Sequence, residues 1–188
     1  MTYEKLDNDE LLRVSLDAIN HDRSAEAIEM LKTLLERDPN HVFATYLLAA
    51  QHAQLGMMDR AEEGFGRTVQ MAPEFPIARF QLGQLLLVKA DAAGAKATLA
   101  PLADLPAAQA LSHYAKGLIA AADEDAAGAI AQLQAGLACA QEIPALAADM
   151  QRVIANLQAL GTAAAPAAAE PAAPVAPIFL TAYGKTSH

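Results

Sequence analysis

The side chains best able to do chemistry are few and scattered. Five histidines stand at His21, His41, His52, His113 and His188, and no two share the spacing that sets a pair of imidazoles on one helical face to hold zinc. Cys139 is the sole cysteine, so neither a thiolate cluster nor an internal disulfide can form, and a lone Cys in a helical stretch reads as a structural thiol. Glu62-Glu63 and Asp123-Glu124-Asp125 bring carboxylates together, but acids gather at helix starts and turns, where they act as caps or solvated faces. Gly64-Phe65-Gly66 has the form of a broken phosphate loop, yet it falls inside a helical pattern with no strand before it and no completing glycine. His52 and His113 read as packed, hydrogen-bonded side chains. No catalytic residue, metal ligand or cofactor is assigned.

The elements that must position any other site follow from composition. The chain has 188 residues, enough for one ordinary domain or a short array of smaller units. Hydrophobic residues make up 54% but aromatics only 5%, and about a quarter of the chain is Ala, the strongest helix former. That combination favours helices packed closely through small side chains. Thirteen basic against 22 acidic residues give a formal charge of −9, which repels phosphate backbones and argues against nucleic acid as a partner. Met1–Asp7 lacks the basic start and apolar run of a signal peptide, and no proline-free apolar stretch of about 18 residues suggests a membrane span. These features predict a cytoplasmic protein.

Sliding the sequence against itself by 34 residues brings like residues into register. Ala27, Ala61, Ala95 and Ala129 form one column, and Leu31, Phe65, Leu99 and Leu133 a second. Ser15, Ala49, Gly83 and Gly117 form a small-residue column, and Tyr46, Phe80 and Tyr114 an aromatic one. Pro39 and Pro73 close the first two repeats, while Pro106 stands one place early in the third. Each repeat predicts two antiparallel helices. The first helices are expected at Asn8–Asn20, His41–Gln54, Ile77–Lys89 and Ala110–Ala122, with apolar residues at three- and four-residue steps. The second helices are expected near Ser24–Arg37, Asp59–Met71, Ala92–Leu105 and Asp125–Ala140, with Ser24 and Asp59 as N-caps and Pro101 kinking or shortening the third. Asp7 with Glu10 has the form of a capping box. Pro144–Leu160 predicts a last helix whose outer face carries Asp149, Gln151, Arg152 and Asn156, a solvating cap for the array.

The repeat resembles the tetratricopeptide family of helix-turn-helix arrays. Leu48-Ala49, Gly56, Ala61, Phe65 and Pro73 carry the resemblance in the second unit, and Leu82-Gly83, Ala95 and Leu99 in the third; it covers about residues 8–141. Asp22 where Gly is usual and Lys116 at a usually apolar position mark the weaker first and fourth units. The resemblance implies an all-α fold, a right-handed α-solenoid of about four tetratricopeptide-like units over residues 1–160 with its capping helix. It also implies a concave peptide-binding groove lined by the first helices. Here that groove would present Leu12, Leu16 and Ile19, then Phe43, Tyr46 and Ala50, then Ile77, Phe80, Gln84 and Leu87, then Leu111, Tyr114 and Leu118. The aromatic column reads equally as groove or as packing between helices. The family's carboxylate clamp is not supported, because its positions here are Leu12, Leu16, Leu47, Ile77 and Gln81.

Residues 161–177 change abruptly to Ala and Pro, an extended arm able to span roughly 50 Å. Residues 178–188 follow with Ile178, Phe179, Leu180 and Tyr183, an apolar cluster that reads as a docking peptide or as an inert terminus. The expected function is non-catalytic: an adaptor or chaperone binding an apolar protein segment, with its own tail or that of a second copy as another occupant. The alternative is a structural subunit of a larger secretion, pilus or motor complex that docks through the tail.

Overall fold

The computed structural model describes residues 3–106, 109–141 and 143–162. The Ala/Pro arm beyond 162 and the apolar tail lie outside the described residues. All regular structure among the described residues is helical. After a 3-10 turn at Tyr3–Lys5 come α1 (Asn8–Asn20), α2 (Ser24–Arg37), α3 (Val42–Gln54), α4 (Met58–Met71), α5 (Pro76–Val88), α6 (Ala92–Ala103), α7 (Ala110–Ala122), α8 (Ala126–Ala138) and α9 (Pro144–Thr162). The fold is an all-α repeat solenoid, and its helices fall within two residues of the expected boundaries. The described residues divide into two compact units between Gln81 and Leu82, inside α5.

In the first unit α1 packs on α2, α2 on α3 and α3 on α4. Asp7 and Glu10 close a reciprocal capping box, the Glu10 amide donating to Asp7 at 2.8 Å and the Asp7 amide to Glu10 at 2.9 Å. Arg37 ties the N-terminal turn to α2 by donating to the Leu6 carbonyl at 2.5 Å. The column residues are the core: Ala27, Leu31, Ala61 and Phe65 are fully buried, as are Met30, Leu34 and Leu47. Each large side chain so buried contributes about 1.5–3 kcal/mol. Ser24 and Asp59 are not the caps. Arg23 and Met57 occupy those positions, and neither makes a side-chain capping bond.

In the second unit α6 packs on α7, α7 on α8 and α8 on α9. Ala95, Leu99, Ala129 and Leu133 are fully buried. Here the second helices are capped: Asp91 accepts from the Gly94 amide and Asp125 from the Gly128 amide, both at 2.9 Å. Pro101 lies inside α6, which ends at Ala103, two residues short of expectation and just ahead of Pro106, whose ring disfavours helical backbone at the residue before it. α9 buries Leu146, Met150 and Ile154, and Asp149 belongs to that buried face, where Arg152 bridges to it at 2.5 Å. Gln151, Arg152 and Asn156 are exposed as expected.

Each first helix ends in the same way. Asp22, Gly56, Ala90 and Glu124, spaced by 34 residues, adopt left-handed backbone with φ between 56° and 73°. The following amide of Arg23, Met57, Asp91 or Asp125 donates back to the carbonyl of Ala18, His52, Leu86 or Ala120 at 2.8–3.0 Å. This is the six-to-one bond of a Schellman ending. Only one of the four carries the glycine that such a backbone prefers. The second helices of the first unit end at Asp38-Pro39 and Ala72-Pro73, with the amides of His41 and Phe75 donating to the carbonyls of Asp38 and Ala72 at 3.2 and 3.0 Å. Proline at the second position of such a turn supplies the required φ.

Candidate functional site

The line expected to face a partner is only partly on the surface. In the first unit Leu12 and Leu16 are half-buried one turn apart on α1, and Phe43 is half-buried at the start of α3. Tyr46 is fully buried: Phe43 stacks on it at 6.1 Å, Phe75 meets it edge-on at 5.0 Å and Phe65 lies 5.9 Å away. Ile19, Ala50, Ile77 and Phe80 are also buried. In the second unit Gln84, Leu87 and Leu111 are half-buried, while Tyr114 and Leu118 are buried.

Tyr46, Phe80 and Tyr114 therefore act as core in this chain. Small residues bring a neighbouring helix against the large ones. A Cβ on Gly136 would lie 2.5 Å from the Tyr114 ring, and one on Gly117 would lie 2.7 Å from Leu133. The Tyr114 hydroxyl donates to Gln141 Oε1 at 2.8 Å, and Gln141 Nε2 donates onward to the carbonyls of Cys139 at 2.7 Å and Gly136 at 2.8 Å. Burial pushes the Tyr114 phenol above its ordinary range, and the Gln141 hydrogen bond opposes that shift. His113 is hydrogen-bonded through Nδ1 to Gln132 at 2.9 Å, and Cys139 Sγ is 3.4 Å from the Ala135 carbonyl.

The first unit also holds a cleft of about 330 Å³ between α2 and α4, floored by α3. Three stripes line it: Lys32 and Leu35 from α2; Thr45, Leu48, Ala49 and His52 from α3; Arg60, Glu63, Gly64 and Arg67 from α4. Residues three, four and seven apart share a helical face, so both α3 and α4 present one continuous stripe. Gly64 belongs to this packing, since a Cβ there would lie 2.7 Å from the Ala49 methyl. That close approach, rather than phosphate binding, accounts for the glycine. Lys32, Arg60 and Arg67 are exposed, and among the described residues none forms an ion pair. Arg67 donates to the Pro39 carbonyl at 2.5 Å, and Arg60 touches Met57 Sδ at 3.8 Å. His52 is 9% exposed. Burial holds its pKa below 6.5, helped by Arg60 and Lys32 and opposed by Glu63. Sequence reading missed this cleft. Its signal was three basic residues on second helices of an acidic chain, at a face outside the expected groove.

Among the described residues no cluster of three or more His, Cys, Asp and Glu side chains is placed to hold a metal ion. None of the described helices is long and apolar enough to cross a membrane.

No known protein-family profile matches the chain. No curated protein matches it in sequence. Solved structures do match in fold. The MamA RS-1 ArsTM double mutant superposes with a TM-score of 0.60 at 19% identity, over 82% of this chain and 96% of that one. MamA 41-end from Desulfovibrio magneticus RS-1 gives 0.60 at 19% identity, over 81% and 96%. A further MamA crystal structure gives 0.55 at 18% identity, over 87% and 100%. At these identities the likeness establishes the architecture, a helical repeat of the tetratricopeptide type.

Proposed function

We propose that this chain is a non-catalytic protein-interaction module, a cytoplasmic adaptor or chaperone that takes an apolar segment of another protein on its first helices. The observation that carries the reading is the set of large apolar side chains left half-exposed there, Leu12, Leu16 and Phe43 in the first unit and Leu87 in the second. An internal packing role would leave these side chains, like Tyr46 and Phe80, without surface. The buried aromatics set helix spacing, and their half-exposed neighbours make contact. Gln84, also half-exposed, offers hydrogen bonds to a partner backbone. Fold likeness to the MamA structures is compatible with this role and does not name the partner.

The test is a pull-down from source lysate with mass spectrometry, comparing wild type with Leu12→Ser, Leu16→Ser and Phe43→Ser combined. Circular dichroism checks the fold. Loss of a specific partner from a folded variant supports the reading, and an unchanged partner set overturns it. A second reading rests on Ile178, Phe179, Leu180 and Tyr183 at the end of the Ala/Pro arm: an assembly subunit docked by its tail. Deleting residues 163–188 then removes the main partner, whereas the adaptor keeps it.

A further inference from the structure

We propose that the cleft between α2 and α4 is a second binding site, which receives an acidic side chain and its apolar neighbour from an extended acidic segment of a partner protein. This deepens the protein-interaction reading and rests on it, but it uses a different face of the first unit. Charge is the first argument. The cleft gathers Lys32, Arg60 and Arg67 against the single carboxylate of Glu63, in a chain whose formal charge is −9. None of those three cations is ion-paired among the described residues, so their charge is open to a carboxylate from outside. Shape is the second argument. About 330 Å³ lies at the small end of ligand pockets, roughly 300–1,000 Å³, and admits one or two side chains rather than a folded surface.

The lining sets the ligand class further. Leu35, Leu48 and Ala49 provide an apolar patch beside the cations, which suits a residue such as Leu next to Glu or Asp. A nucleic acid is disfavoured, because the overall charge repels a polyanion and no aromatic side chain in the cleft offers a base a stacking surface. His52 gives an internal reporter. Burial holds its pKa down most, Arg60 from α4 and Lys32 from α2 add to that and Glu63 from α4 opposes it, so the charge of a carboxylate seated among the cations moves the ring's titration upward.

The experiment uses the full chain and a fluorescein-labelled peptide, acetyl-Glu-Leu-Glu-Leu-Glu-amide, read by anisotropy, with His52 followed by proton NMR. Saturable binding that weakens with salt is expected, accompanied by an upward shift of the His52 titration. Lys32→Gln combined with Arg60→Gln changes two exposed side chains, so the fold is retained, and affinity is expected to fall about tenfold. The matching Gln-Leu-Gln-Leu-Gln peptide is expected not to bind. No saturable binding at millimolar peptide, equal binding of the Gln peptide, or unchanged affinity in the double variant overturns the site. Inorganic phosphate that displaces the peptide and shifts His52 equally marks a simple anion site and also overturns it. If Leu12→Ser with Leu16→Ser abolishes peptide binding while the cleft variant keeps it, this inference fails and the proposed function stands.

Discussion

The hydroxyl of Tyr114 donates to Gln141 Oε1 at 2.8 Å, joining the aromatic column of the repeat to the end of α8. Gln141 Nε2 then donates to the Cys139 carbonyl just beyond α8 and to the Gly136 carbonyl in its last turn, which also accepts from the Cys139 amide at 3.2 Å. Tyr114→Phe keeps the packed ring and leaves Gln141 one partner short, for an expected loss of about 1 kcal/mol in urea unfolding. Tyr114→Ala is expected to cost about 3–5 kcal/mol through the cavity it opens. The raised phenol pKa carries its own sign. Above pH 10 the unfolded chain loses the Tyr114 proton while the folded chain keeps it, so stability falls as pH rises through that range. Tyr114→Phe removes this part of the alkaline slope.

Two glycines in helix interiors should respond in opposite directions. A Cβ on Gly83 would run into the side chain of Leu99, which is fully buried and has nowhere to move. Gly83→Ala is expected to destabilise by about 1–3 kcal/mol. Gly66 has nothing within 4 Å of its added Cβ. There, Gly66→Ala gains helix propensity and is expected to stabilise by about 1 kcal/mol. Paired thermal melts against wild type read both signs.

The shared Schellman ending makes a series. Ala90 is held at φ 62° without the relief a glycine gives, so Ala90→Gly is expected to raise stability by about 1 kcal/mol, and Gly56→Ala to lower it by a similar amount. Met57 stands 34 residues before Asp91 and makes no side-chain cap. Met57→Asp is expected to install the missing bond and add about 0.5–2 kcal/mol. Chemical denaturation of the three variants checks the register directly.

Acid should weaken the first unit through His52. Its folded pKa lies below 6.5, so as pH drops through 6.5 the unfolded chain takes up the proton first and stability declines, levelling off below the folded pKa. His52→Gln is expected to flatten that part of the stability profile. Lys32→Gln with Arg60→Gln reduces it, because two of its causes are gone.

The helices were legible because the fold repeats. A 34-residue register sums weak signals over four copies, and the buried columns at Ala27, Ala61, Ala95 and Ala129 are the result. What periodicity cannot separate is a large apolar residue facing a partner from one facing the next helix. Tyr46, Phe80 and Tyr114 share a column with the expected groove, yet all three are core, while Leu12 and Phe43 keep surface. The cover differs from copy to copy: Gly136 lets a helix close over Tyr114, whereas Phe43, Phe65 and Phe75 enclose Tyr46. The caps failed for a related reason: Ser24 and Asp59 are capping types, but the chain enters α2 and α4 one residue earlier and two residues earlier, at Arg23 and Met57. The basic cleft was invisible because Lys32, Arg60 and Arg67 come from two hairpins and follow no shared column.

The uneven capping gives the array an uneven tempo. α6 and α8 begin under aspartate caps, while α2 and α4 begin with first-turn amides that no cap side chain holds. Hydrogen exchange at the opening turn of α4 should accordingly outpace that at the equivalent turns of α6 and α8. Arg60 sits in that loosely held turn. The Arg60 edge of the cleft thus lies in a turn without a side-chain cap, and a guest drawing Arg60 inward would be felt there as slowed exchange.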